Sequence, residues 1–141
     1  MGEPSPDSLC PRCRMEAFEL LYAKTHEWLG IIDKSDLAYV GISSFALKEL
    51  TDIIYVELPI RRVGKITKGE EFGLIESVKV VSDLFAPCDG QVVAVNYLAL
   101  DNPELLVDND DPWLIKIKIN DPDVSHLMNQ GQYEEQIKND G

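Results

Sequence analysis

The sequence predicts an all-β domain, a small β-sandwich with one short inserted helix and a helical C-terminal tail. Three observations carry this. Short segments rich in β-branched and aromatic residues recur along the chain. Turn formers separate them at close intervals: Pro59, Gly64, Gly69, Pro87, Gly90, Pro103 and Pro112. Strict alternation marks Trp113–Ile119, with Trp113, Ile115, Ile117 and Ile119 on one face and Leu114, Lys116 and Lys118 on the other. Many short strands with frequent turns favour a sandwich or barrel over a parallel α/β sheet. In chain order, Leu37–Ile42 (LAYVGI) and residues 53–58 (IIYVEL) read as strands, followed by 72–76 and 91–96. Residues 43–50 (SSFALKEL) open with hydroxyl caps and continue with good helix formers, so a short helix is expected there. Residues 121–138 begin Asp-Pro, carry a Ser125 cap and an apolar stripe of Leu127, Met128, Tyr133 and Ile137, with Gly131 expected to interrupt.

With 141 residues the chain is long enough for one real core, and 45% hydrophobic content is ordinary for a globular domain. The 25 acidic and 13 basic side chains leave a net charge of −12, which repels phosphate backbones and anionic lipid. Nucleic acid and membrane are therefore excluded as expected partners. No apolar run approaches the roughly 20 residues of a bilayer span. Residues 1–15 lack the apolar stretch of a signal peptide, and their mixture of acids and bases is unlike a transit peptide. They read as a flexible leader before a domain over 16–141, and the expected location is cytoplasmic, in a bacterium. Cys10-Pro11-Arg12-Cys13 is a lone C-x-x-C. Zinc would need further ligands from Cys88, His26 and His126 alone, and a redox pair would want a βαβ context that is missing. No metal site is expected.

Conventional active-site patterns are also missing, with no glycine-rich phosphate loop and no zinc-protease motif. The most informative stretch is Glu76-Ser77-Val78-Lys79-Val80-Val81-Ser82-Asp83, nearly a mirror about the Lys79–Val80 bond. A two-residue turn at Lys79-Val80 would make Val78/Val81, Ser77/Ser82 and Glu76/Asp83 facing pairs. Lys79 would then stand at a hairpin tip with its amine in water. Exposed lysine is the default for any surface, so this pattern alone assigns no function.

The same residues carry a resemblance. ESVKVVSDLFAP at 76–87 resembles the lipoyl-attachment motif of the glycine cleavage system H proteins. Tyr22 to Trp28 (YAKTHEW), Ala38 to Ile42 (AYVGI), Asp52 to Pro59 (DIIYVELP), Gly90 to Asn96 (GQVVAVN) and Trp113 to Lys118 (WLIKIK) resemble further elements of that family, in family order, over about residues 22–137. The resemblance implies a lipoyl-domain-type β-sandwich (a barrel-sandwich hybrid) with lipoic acid in amide linkage to Lys79. Val78 and Val80, where biotin carriers usually have Met, argue against biotin. It implies a carrier subunit, not an enzyme, acting as a monomer. An aminomethyl group would pass from a pyridoxal-phosphate glycine decarboxylase to a folate-dependent aminomethyltransferase, and a dihydrolipoyl dehydrogenase would reoxidise the dithiol. A lipoylating enzyme would recognise the hairpin through Glu76, Ser77, Val78 and Asp83. Thr25 and Glu27, with Asp83, are the implied cleft residues that hold the loaded arm, and His26 reads as structural.

Some residues depart from the family pattern. Asp110-Asp111-Pro112-Trp113 is shortened, Thr51 stands where Gly is common, and Arg61, Arg62, Lys65 and Lys68 form a basic island. With the Cys10–Cys13 pair these leave room for an alternative, an H-like lipoyl carrier for sulfur or electron transfer in a heterodisulfide-reductase-like system. A relay of octanoyl or lipoyl groups and an unmodified scaffold are the remaining readings.

Overall fold

Strand alternation, repeated along nine segments, builds two facing antiparallel sheets. The structure, a computed structural model, describes residues 18–32, 35–58, 64–108, 112–120 and 124–140. The expected leader at 1–15, its Cys10–Cys13 pair, Arg61, Arg62 and the shortened Asp110-Asp111 stretch lie outside the described residues. The elements are β1 (Phe18–Tyr22), β2 (Glu27–Ile32), β3 (Leu37–Ile42), α1 (Ser44–Leu50), β4 (Ile53–Glu57), β5 (Lys65–Ile66), β6 (Glu71–Ser77), β7 (Val81–Phe85) and β8 (Gly90–Val95). There follow α2 (Tyr97–Asp101), a 3-10 turn at Pro103–Asp108, β9 (Trp113–Ile119) and α3 (Gln130–Asp140). One sheet has the order β1-β2-β3-β9-β8-β5, the other β4-β6-β7. The predicted sandwich with a short helix and a helical tail is borne out.

Between the sheets lies the main core. Leu29, Val40, Ile115, Ile117 and Val92 point inward from the large sheet, and Ile53, Val56, Ile75 and Leu84 meet them from the small one. Every second residue of β2 faces this core, so Glu27 shares its direction with Leu29 and Ile31. The other face of the large sheet carries a second, aromatic cluster of Tyr22, Trp28, Tyr39 and Trp113, covered by Tyr133 of α3. The Tyr22 and Tyr133 rings stack at 4.2 Å.

Three expectations are corrected. Trp113 does not share a face with Ile115: the β3–β9 register shifts at Val40/Gly41, so Gly41 pairs with Trp113 and Leu114 becomes the extra residue, itself buried. Helix α3 starts at Gln130, not near 121, because Val124 to Asn129 form turns and a bridge in which Tyr22 and Met128 exchange two backbone hydrogen bonds of 2.7 Å. Gly131 then falls in the first turn of α3 and interrupts nothing. Strands β1 and β2 and helix α2 were not foreseen from residue type.

At α1, Ser43 is the N-cap, its Oγ accepting from the Ala46 N–H at 3.2 Å. The helix ends at Thr51 (φ 51°), and Asp52 (φ 21°) follows. The sharp corner aims the Asp52 carbonyl at the Val78 N–H, which donates to it at 3.3 Å. A glycine at position 51 would meet this backbone without strain.

Gly41 is the tightest point of the large sheet. A Cβ there would meet the Trp28 indole at 2.6 Å and the Pro112 carbonyl oxygen closer still. Gly41→Ala is expected to lower stability by about 3 kcal/mol, since neither the buried ring nor the backbone has room to yield. Urea unfolding at one pH measures this, and a loss under ~1 kcal/mol would show that the sheet relaxes around the methyl.

Candidate carrier site: an exposed lysine beside a buried carboxyl

Strands β6 and β7 form the hairpin that the near-mirror sequence predicts, but in another register. Glu76 pairs with Val81, Ile75 with Ser82 and Leu74 with Asp83. The two central residues of the turn are thus Val78 and Lys79, and Glu76 does not face Asp83. Both registers keep Ile75 and Leu84 inward, so hydrophobic alternation does not choose between them. Ser77 does. Its N–H donates to the Val80 carbonyl at 2.9 Å, while its buried Oγ accepts from the N–H groups of Lys79 and Val80, each at 3.2 Å. Neither Val78 nor Lys79 has positive φ, so this serine-capped turn is not one of the primed hairpin types that want Asn-Gly.

Lys79 is therefore exposed on a backbone pinned from both sides, by Ser77 within the turn and by Asp52 from the α1–β4 corner. Around it stand Val78 (61% exposed), Val80 and Val81, with Ile54 and Tyr55 of β4 also open to solvent. A bulge at Ile53/Tyr55 puts Tyr55 opposite Glu76, so Tyr55, Glu76 and Val81 run side by side across the outer face of the small sheet.

The second part of the site lies along β7. Ser82 and Asp83 line a cavity of about 300 Å³ whose other walls are the β1–β2 turn (Thr25, His26, Glu27) and α1 (Phe45, Glu49). Ser82 and Asp83 follow Lys79 by three and four residues, at most about 10–14 Å of extended chain. That span suits a lysine side chain lengthened by a medium-chain acyl group.

Glu27 closes the cavity. The β1–β2 connection is a three-residue loop, Lys24-Thr25-His26, in which the Ala23 N–H donates to the Glu27 carbonyl at 2.8 Å and His26 takes the left-handed position at φ 80°. This loop starts β2 with Glu27 on its core-facing side, and the residue is only 1% exposed. Thr25 Oγ1 donates to Glu27 Oε1, and the Phe85 N–H of the opposite sheet donates to Oε2 at 2.9 Å. Burial disfavours the charged form and outweighs these two donors, so the Glu27 carboxyl is raised from 4.5 to about 7.

Thr25, Glu27 and Asp83, predicted as cleft residues, are thus brought to one cavity. Glu76 and Val78 belong instead to the outer face and tip, and Ser77 builds the turn. Sequence reasoning missed the Phe85 amide, which no side-chain pattern announces, and the wall of α1, which the i, i+4 spacing of Phe45 and Glu49 could have disclosed. It also missed Tyr133, whose hydroxyl is 2.7 Å from His26 Nδ1 and 2.6 Å from Ser43 Oγ. Among the described residues no three His, Cys, Asp or Glu come together to hold a metal, and no helix is long and apolar enough to cross a membrane. Cys88 is buried in the core.

The two-sheet β-sandwich presenting a lysine at a hairpin tip is the architecture that the resemblance implies. The family model described as glycine cleavage H-protein matches residues 20–140. The glycine cleavage system H protein of Listeria welshimeri is 45% identical over 120 residues, 82% of this chain and 93% of that one. The probable glycine cleavage system H protein of Haloarcula marismortui is 41% identical over 125 residues, 85% and 94% of the two chains. The crystal structure of a glycine cleavage system H protein from Mycobacterium marinum superposes with a TM-score of 0.75 at 36% identity, covering 85% of this chain and 97% of that one. The chain belongs to the glycine cleavage H-protein family, whose members are the carrier components of that system. These relatives give the sulfur- or electron-transfer alternative no support.

A raised carboxyl has a consequence for stability. Glu27 keeps its proton to about pH 7 when folded and to about 4.5 when unfolded. The unfolded chain therefore releases the proton first, and stability falls by roughly 3 kcal/mol as pH rises from 4.5 through 7, flat on either side. Subtracting the Glu27→Gln curve from that of the parent protein isolates this slope in urea unfolding at pH 4, 5.5 and 8. Parallel curves would mean that the carboxyl titrates normally.

Proposed function

We propose that this chain is the lipoyl-lysine carrier of glycine cleavage, with lipoic acid attached at Lys79. It would take an aminomethyl group from a pyridoxal-phosphate glycine decarboxylase and deliver it to a folate-dependent aminomethyltransferase, with a dihydrolipoyl dehydrogenase completing the cycle. The observation that carries this reading is the pairing of a pinned, exposed lysine with a cavity that ends on a buried carboxyl. When attached, lipoate supplies a dithiol that holds a one-carbon amine fragment and a disulfide that can be re-formed.

The protein's own residues do the rest. Ser77 and Asp52 keep the Lys79 backbone rigid, so the freedom needed for reaching partner sites resides in the side chain and its extension. Tethering keeps the local concentration high at each partner without tight binding. Val78, Val80, Val81, Ile54 and Tyr55, with Glu76 and Asp83, form the surface next to Lys79 that a lipoylating enzyme and the partner enzymes would read. A protonated primary amine entering the cavity finds the Glu27 carboxyl, which accepts a charge-assisted hydrogen bond as it gives up its own proton. Thr25 and the Phe85 N–H hold that carboxyl in place, and the cavity walls would shield from water whatever group is held there.

The test uses full-length protein, lipoylated enzymatically and verified by intact mass. Mixed with glycine decarboxylase, it is expected to support glycine–bicarbonate carbon exchange, and Lys79→Arg to be folded, unlipoylated and inactive. Lipoylation of Lys79→Arg would refute the site, and a lipoylated but inert parent protein would refute the pathway. Glu27→Gln is expected to lipoylate normally and to shorten the lifetime of the amine-loaded form by about tenfold, the effect of one charge-assisted hydrogen bond.

A further inference from the structure

Both cavity walls meet at one atom that belongs to neither. The Tyr133 hydroxyl, on the C-terminal helix α3, is 2.7 Å from His26 Nδ1 and 2.6 Å from Ser43 Oγ. His26 ends the loop that carries Thr25 and delivers Glu27; Ser43 caps α1, which carries Phe45 and Glu49. We propose that Tyr133 is a positioning residue of the carrier cleft, its hydroxyl tying the β1–β2 turn to the head of α1 and so fixing the spacing of the walls around Glu27.

Several observations support the clamp. The bonds form a consistent chain: the Ala46 N–H donates to Ser43 Oγ at 3.2 Å, and the Tyr133 hydroxyl, able to donate one bond and accept another, joins Ser43 Oγ to His26 Nδ1. Ser43 and Tyr133 are 2% and 4% exposed, so water does not compete for these bonds. A further backbone bond of 2.9 Å, from the Ser43 N–H to the His26 carbonyl, brings the same two residues together. Helix α3 is anchored to β1 by the stack of Tyr133 on Tyr22 and by the Tyr22–Met128 backbone bonds just before it, and the Gln136 amide adds a second tie to the loop by donating to the Lys24 carbonyl at 3.0 Å. The hydroxyl therefore approaches the loop on a fixed mount.

His26 itself is informative. It occupies the left-handed position of the loop at φ 80°, where glycine would be free of strain. If backbone geometry were the sole requirement there, glycine would serve better. A histidine at that position supplies what glycine lacks, a ring that meets Tyr133 through Nδ1 and packs against Phe45 at 5.3 Å.

The clamp stands on geometry alone, while its purpose, holding an amine at Glu27, rests on the function proposed above. The experiment separates the two. Full-length Tyr133→Phe keeps the ring that stacks on Tyr22 and loses only the hydroxyl; His26→Gly relieves the loop backbone and loses only the ring. In unloaded protein, amide hydrogen exchange is measured at Phe85, whose N–H is held by Glu27 Oε2, and at Val40 in the core as a control. Both variants are expected to speed exchange at Phe85 by roughly tenfold with Val40 unchanged, the consequence of local loosening. A merely structural role predicts instead that His26→Gly, with a relaxed loop, leaves Phe85 as protected as before, and that result would overturn the proposal. In lipoylated, amine-loaded protein, Tyr133→Phe is expected to shorten the loaded lifetime as Glu27→Gln does. If Glu27→Gln shortens it and Tyr133→Phe does not, the clamp is refuted as a positioning device. If neither does but Phe85 exchange rises in both clamp variants, the clamp holds and the amine reading fails.

Discussion

A carboxyl at a strand position that alternation assigns to the core is the constraint around which this molecule is arranged. Glu27 shares its direction with Leu29, and without partners its burial would be intolerable in the charged form. Its two hydrogen bonds come from opposite places, Thr25 in the adjoining loop and the Phe85 amide across the sandwich. The acid is thus a polar tie between the two sheets at the end where the hydrophobic core stops. The cavity exists because that end is not filled: side chains large enough to close it would displace the carboxyl or break the tie.

The hairpin tip and the cleft are held in different ways. At the tip the N–H groups of Ser77, Val78, Lys79 and Val80 are all bonded, two to backbone carbonyls and two to the Ser77 hydroxyl, so Val78 and Val80 contribute only backbone. The cleft is assembled from a loop, a short helix and a distant terminal helix, which meet through side-chain hydroxyls. Backbone ties need no particular side chain at their ends; hydroxyl ties do. Substitutions at Val78 or Val80 therefore alter the surface that partners meet, whereas substitutions at Ser43 or Tyr133 alter the site itself.

Much of this was legible from residue types. The β-branched runs of β3, β4 and β9 announced strands, the hydroxyls at 43–44 announced α1, and the near-palindrome around Lys79 announced a hairpin. What was not legible depended on single polar bonds or single inserted residues. Ser77 selected a register that hydrophobic pattern left open, because a shift of two in the pairing changes no side chain's face. A one-residue bulge at Leu114 turned Trp113 from one cluster to the other. Strand β2 begins with an acid in a core position, so Glu27 disguised the alternation of Leu29 and Ile31. Tyr133 read as one residue of an apolar stripe, which its ring is; its hydroxyl acts on residues some hundred positions earlier, beyond any local pattern.

The strength of the tie suits a carrier that must also let go. A buried acid that stayed neutral to pH 9 would have to be deprotonated at a cost of about 2.7 kcal/mol at pH 7 before it could pair with a cation, and the cleft would bind amines poorly. An acid of ordinary pKa would already be charged in the empty cleft, its burial offset in full by the protein's own donors. At about 7 the Glu27 carboxyl avoids both extremes: near neutrality the empty cleft holds the acid and its carboxylate in comparable amounts, and conversion to the carboxylate costs well under 1 kcal/mol. On the function proposed above, an arriving amine would pay little for its partner, and on departure the carboxyl would regain its proton from solvent. The proton cost would then decide little between capture and release, leaving that balance to the contacts that the cleft and the partner sites offer the amine.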